Sequence, residues 1–226
     1  GPNSITTDEN DRTNYVQSMD GRYGFRLRFD TPGDNVLARG TRLSLSLNGT
    51  VLTREENPER YTISSLVGEN MVESAAGEAI PAKQRRISEL TDDDVYTFVS
   101  LENTEFLFKE GSYANVYENY SLSSEVNASQ TGNNNRMDGW ASLVRDAEGG
   151  TIYMLVNTLC AWRRAGKPLP QGMGPLSGVV VHTPMRRYGG DMGRYSIRPL
   201  DEGDIAVGTI RAVQAGVVDI PFAPSR

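Results

Sequence analysis

The sequence predicts an all-β protein with little helix, built from two small modules of related sequence. Three observations carry this. First, one stretch of the chain echoes another: Val16–Leu66 is repeated by Leu143–Leu200. Second, apolar and polar residues alternate over short runs, the period of a strand with one buried face. Third, turns rich in Gly, Asn and Pro follow one another closely and leave room for only one short helix.

The repeat is legible word by word. Val16-Gln17-Ser18-Met19-Asp20-Gly21 runs into the apolar strand Phe25–Phe29, as Leu143–Gly150 runs through Asp146 into Ile152–Val156. Leu47-Asn48-Gly49-Thr50-Val51 answers Leu176-Ser177-Gly178-Val179-Val180. The copies close on Arg60-Tyr61-Thr62-Ile63-Ser64-Ser65-Leu66 and Arg194-Tyr195-Ser196-Ile197-Arg198-Pro199-Leu200.

Taken in order, residues 1–14 are polar and turn-forming and read as a flexible N-terminal segment. The first module covers 15–75. In it Tyr23, Phe25, Leu27 and Phe29 alternate with Arg22, Gly24, Arg26 and Arg28, and Leu43, Leu45 and Leu47 alternate with Ser44, Ser46 and Asn48. Thr31–Asp34 and Glu55–Pro58 supply its turns. Residues 76–94 read as a connector. Ile87–Asp94 is its short helix, with Asp92, Asp93 and Asp94 crowding a solvated end. Tyr96–Phe108 is a long strand that opens the second module, 95–206; its apolar parity changes between Leu101 and Phe106, which predicts a bulge. Residues 119–139 are a polar loop of unusual length, the mark of a functional or disordered segment. Strands follow at Ile152–Val156, Gly178–Val181 and Tyr195–Ile197. Between the first two lies Cys160–Pro168, a basic and aromatic excursion that the first module lacks. Residues 207–226 supply final strands or a tail.

Composition narrows the chemistry. Of 226 residues, 38% are apolar and 23% charged, ordinary for a globular protein. No run approaches the roughly 20 apolar residues of a spanning helix. No signal peptide is visible, and Gly1-Pro2-Asn3-Ser4 reads as a trimmed start. The lone Cys160 forms no internal disulfide, and the lone His182 argues against Cys/His zinc sites and His-based triads. Nucleotide loops and nucleophile elbows are missing. Asp201, Glu202 and Asp204 read as a turn in preference to a metal site. No catalytic residue, metal or cofactor is expected.

Charge is unevenly spread. The net charge is −6, yet residues 136–198 carry nine Lys/Arg against four acids, so that window is +5 and the remainder −11. Such asymmetry points to a charged partner. The ligand-binding candidates are Tyr153, Trp162 and Tyr188 with Arg163, Arg164, Lys167, Arg186 and Arg187: aromatic rings to stack on, and cations for a polymer backbone. Single-stranded nucleic acid and glycan are the two ligand classes this set suits, and assembly with another protein is a third possibility.

Small strand modules with Gly turns and one connecting helix fit an OB-like barrel better than a long sandwich. Asn14–Gly21, Ile87-Ser88-Glu89-Leu90, Val99–Phe106 and Tyr195–Pro199 together resemble a family of unknown function found in envelope lipoproteins of Bacteroidetes. The resemblance covers most of 14–206. It implies tandem OB-fold modules, a non-catalytic binding role, and a place in the bacterial envelope, on the outer membrane or cell surface, with membrane attachment only through a lipid anchor outside this sequence. It also implies a strand ahead of Tyr15 that residues 1–14 do not supply. Either an upstream segment or Ile205–Phe222 is expected to take its place.

Overall fold

Where the sequence alternates, the chain forms strands. In this computed structural model the described residues are 11–75, 77, 79–107, 113, 140–156, 162, 165–183 and 193–209, with the side chains of 140 and 141 left aside. The first unit contains β1 (Thr13–Gln17), β2 (Gly24–Phe29), β3 (Arg42–Leu45), β4 (Val51–Glu55), β5 (Arg60–Leu66) and β6 (Met71–Ala75). The second contains β7 (Lys83–Arg85), β8 (Phe98–Phe106), β9 (Trp140–Asp146), β10 (Thr151–Val156), β11 (Gly174–Val181) and β12 (Ser196–Arg198). Helical structure among the described residues is confined to short 3-10 turns. The fold is all-β.

The second unit closes on itself. β8 pairs antiparallel with β9, and β9 antiparallel with β10. β10 runs parallel to β12, β12 antiparallel to β11, and β11 returns antiparallel to β8. The result is a five-stranded barrel in which each strand pairs with two others of the ring, so the ring itself has no free edge. β7 adds in parallel along the first half of β8. The expected bulge is present. Opposite Gly174 and Leu176 the partners are Thr104 and Leu101, and Asn103 takes a φ of 51°. The extra residue turns Leu101 and Phe106 both inward. Leu101, Val144, Met154, Leu176, Val180 and Ile197 are each 0% exposed in the barrel core. Each such side chain contributes about 1.5–3 kcal/mol by leaving water.

The first unit has the same plan with one strand fewer. Its sheet runs β1-β2-β5-β4, with β2 and β5 parallel and the outer pairs antiparallel. That is the order and sense of β9-β10-β12-β11. Register agrees as well. Leu27 faces Ile63 and Arg26 faces Thr62, as Met154 faces Ile197 and Tyr153 faces Ser196. No counterpart of β8 is found among the described residues, and among them this sheet is open. A ribbon of β3 and β6 packs Leu43, Leu45 and Met71 over Leu27, Phe29, Leu37, Ile63 and Leu66. Two barrels were expected; the described residues form one barrel and one open sheet. Of the segments expected to supply the absent strand, Ile205 bridges to Leu176 on the barrel, while residues 1–10 and 210–226 lie outside the described residues. The polar loop 119–139 also lies outside them.

The connector is more than a linker. It contributes β7, and Ile87–Asp94 is two separate 3-10 turns in place of one helix. Each turn is closed by the acid at its third position. Glu89 accepts from the Arg86 N–H at 2.9 Å, and Asp94 from the Thr91 N–H at 3.0 Å. Side-chain capping at such short spacing competes with helix propagation. Asp94 is not solvated either; it is 1% exposed and paired with Lys83 at 2.7 Å. The same device follows β5 and β12. Asn70 accepts from the Val67 N–H at 2.9 Å, and Asp204 from the Asp201 N–H at 3.1 Å.

Candidate functional site

The barrel's topology decides where the expected ligand residues can meet. Arg163 and Arg164 belong to the connection entering β11 at Gly174. Arg186, Arg187 and Tyr188 belong to the connection leaving it at Val181. All five lie outside the described residues, but the ends of an eight-residue strand stand about 25 Å apart.

Trp162 and Lys167 share the first of these ends. Trp162 is half-buried against the barrel core and meets Tyr113 edge to face, with ring centroids 5.3 Å apart. Tyr113 continues the contact to Phe106 at 6.3 Å. Burial, reinforced by the charge of Glu202, pushes the Tyr113 hydroxyl up to about 12. Lys167 is exposed but ion-paired with Glu202 at 2.5 Å. Tyr153, in the middle of β10, is half-buried between Leu143 and Ser196. Sequence reasoning placed these residues near one another in the chain; their partners Tyr113 and Glu202 came from distant segments and carried no local signal.

At the other end, Asp92 gathers donors. Arg194 reaches it through Nη2 at 2.7 Å and Nε at 3.0 Å, the Tyr195 hydroxyl donates at 2.5 Å, and the Glu59 N–H donates at 2.8 Å. Partial burial works against ionisation, but the Arg194 and Tyr195 hydrogen bonds outweigh it and hold the carboxyl at about 2. Asp92 thus ties the approach to β5 to the approach to β12. Asp201 and Asp204, weighed as a metal site or a turn, form the turn, and both carboxylates take Arg39 of the first unit. Asp204 does so at 2.8 and 2.9 Å. Among the described residues no cluster of three or more His, Cys, Asp or Glu could hold a metal.

Between open sheet and barrel lies a cleft of about 440 Å³ that the sequence did not announce. One wall is β1 with Leu43 and Leu45; the other is Tyr96, Phe98, Val179 and Leu200 of the second unit. Tyr15 stacks on Tyr96 at 5.5 Å and an interplanar angle of 24°. The units meet closely here. A Cβ on Gly24 would lie 2.4 Å from the Tyr96 carbonyl carbon. The cleft's polar groups are largely engaged already. Gln17 Oε1 accepts from the Phe98 N–H at 2.9 Å, and Asn14 Nδ2 donates to Asn35 at 3.1 Å. Arg39 lies over the Phe98 ring, 5.0 Å from its centroid, while bound to Asp201 and Asp204.

Comparison with known proteins shows no family. No protein-family model matches the chain, and no solved structure matches it. A stretch of 27 residues is 74% identical to part of the glutamate mutase epsilon subunit of Desulfitobacterium hafniense, covering 12% of this chain and 6% of that protein. A stretch of 26 residues is 65% identical to the glutamate mutase epsilon subunit of Yersinia enterocolitica, covering 12% of this chain and 5% of that protein. The chain spans only about one-twentieth of the curated proteins it matches, and so short a stretch carries no activity across.

Proposed function

We propose that the protein is a non-catalytic binding module whose barrel is of the OB type and takes a single-stranded nucleic acid. The observation that supports this is the closed ring β8-β9-β10-β12-β11, with its parallel β10–β12 pair. Five-stranded Greek-key barrels of this kind bind oligonucleotides and oligosaccharides across their second and third strands, here β9 and β10. The resemblance to envelope lipoproteins makes the bacterial cell surface the proposed location, with a lipid anchor as the proposed attachment. No helix among the described residues is long and apolar enough to cross a membrane.

A glycan is the second reading, and one contact favours it. Lys167, one of the expected phosphate-binding cations, is already neutralised by Glu202. Salt separates the two. A labelled single-stranded oligonucleotide should bind at low salt with a log K against log salt slope of about −0.7 per phosphate contact. Replacing Arg186 and Arg187 together by Ala should weaken binding and flatten that slope by roughly one unit. A neutral oligosaccharide bound in a salt-independent way, with no oligonucleotide binding, would move the ligand to the glycan class.

A further inference from the structure

We propose that the cleft between the open sheet and the barrel is a separate site for a small amphipathic monoanion, its apolar body inside and its head on Arg42. This is independent of any polymer on the barrel. The volume of about 440 Å³ lies within the usual span for small-ligand sites, roughly 300–1,000 Å³. Its walls are supplied by Tyr15, Leu43, Leu45, Ile80, Tyr96 and Phe98, so an apolar or aromatic body is what they would desolvate favourably.

The head group follows from which cation is free. Arg39 is committed to Asp201 and Asp204 and holds the two units together. Arg42, also on the cleft wall, is exposed and makes no ion pair among the described residues. Its guanidinium can present a planar fork to a carboxylate, sulfonate or phosphate oxygen pair. The rim that carries Arg42 is also fixed. A Cβ on Gly77 would lie 2.3 Å from the Gly40 carbonyl, and Gly40 takes a φ of 80°, which a side chain would strain. A rim so held presents Arg42 at one place above the apolar walls.

Dodecanoate, used below its micelle concentration and followed by calorimetry, is the probe, with dodecyltrimethylammonium as its cationic counterpart. The wild-type chain should bind dodecanoate saturably, one per chain, and prefer it to the cation. Arg42→Glu should weaken dodecanoate about 10–100-fold, the loss of one hydrogen-bonded charge pair, and reverse the preference between the two heads. Ala38→Trp, which fills the cleft from an exposed position, should remove binding of both. Val51→Ser, which removes exposed apolar surface on β4, should change nothing. Near-UV circular dichroism checks that each variant is folded, and the head-group reversal decides the matter should Ala38→Trp fail to fold. No saturable binding by the wild type, equal affinity for both heads, or indifference to Arg42→Glu would overturn the proposal.

Discussion

The Tyr195 hydroxyl donates a hydrogen bond to Asp92 across 103 positions of the chain, at 2.5 Å. Asp92 also takes the N–H of Glu59, whose own carboxylate accepts from the Tyr61 hydroxyl. Tyr61 and Tyr195 are the residues that the two repeats place alike, each just before the parallel strand pair. One carboxylate therefore links equivalent points of the two units.

That link should be visible in pH. Asp92 is held at about 2 in the fold against an ordinary 3.8, so it binds protons more readily when unfolded. Its contribution to stability is complete above about pH 5, and is lost as pH falls through 4 toward 2. Allowing for solvent screening of a partly exposed group, about 1–2 kcal/mol is at stake. Urea unfolding at pH 7 and pH 3 should show this loss in the wild type. Asp92→Asn should be less stable at pH 7 and should lack that part of the pH dependence.

Gly24 tests how tightly the units are joined. A methyl there meets the Tyr96 carbonyl at 2.4–2.5 Å, and backbone cannot rotate away as a side chain can. Gly24→Ala should cost about 1–3 kcal/mol, the range for overpacking. Limited proteolysis should find the region between the units opened. A fully stable Gly24→Ala would show that the contact yields freely.

Ile63 and Ile197 hold the same register in two cores of different size. Ile197 is 0% exposed in the closed barrel, and Ile63 is 8% exposed under the β3–β6 ribbon. Truncation to Ala should cost about 3–5 kcal/mol at Ile197 and about 2–3 kcal/mol at Ile63, because the smaller core can collapse into the space. Equal costs by chemical denaturation would mean that the open sheet packs as firmly as the barrel.

Among the described residues β4 is an edge strand of the open sheet, with Val51 and Leu52 at 53% and 61% exposure. Unpaired N–H and C=O groups beside exposed apolar side chains invite pairing with another chain. Leu52→Lys should leave stability within about 0.5 kcal/mol, as surface changes usually do. It should also reduce any concentration-dependent association seen by sedimentation. Unchanged association would clear β4 of that role.

What the sequence by itself determined was local or repeated. The period-two runs placed β2 and β3, and the apolar run Ile152–Val156 placed β10. The parity change between Leu101 and Phe106 placed the bulge in β8. The echo of Val16–Leu66 in Leu143–Leu200 carried through to a common register, Leu27 on Ile63 and Met154 on Ile197. These are properties of neighbouring residues, and a side chain's alternation survives whatever its strand pairs with. Tertiary structure alone decided closure, since β11 finds β8 some 77 positions away, as the Ser177–Ser100 hydrogen bond records. It also decided that Asp94 is buried on Lys83 rather than solvated, and that Lys167 is ion-paired with Glu202. The cleft joins Tyr15, Arg42, Ile80 and Tyr96 from four separate stretches. Pairing and burial over such distances depend on which surfaces meet once the chain is folded, and no run of adjacent residues encodes that.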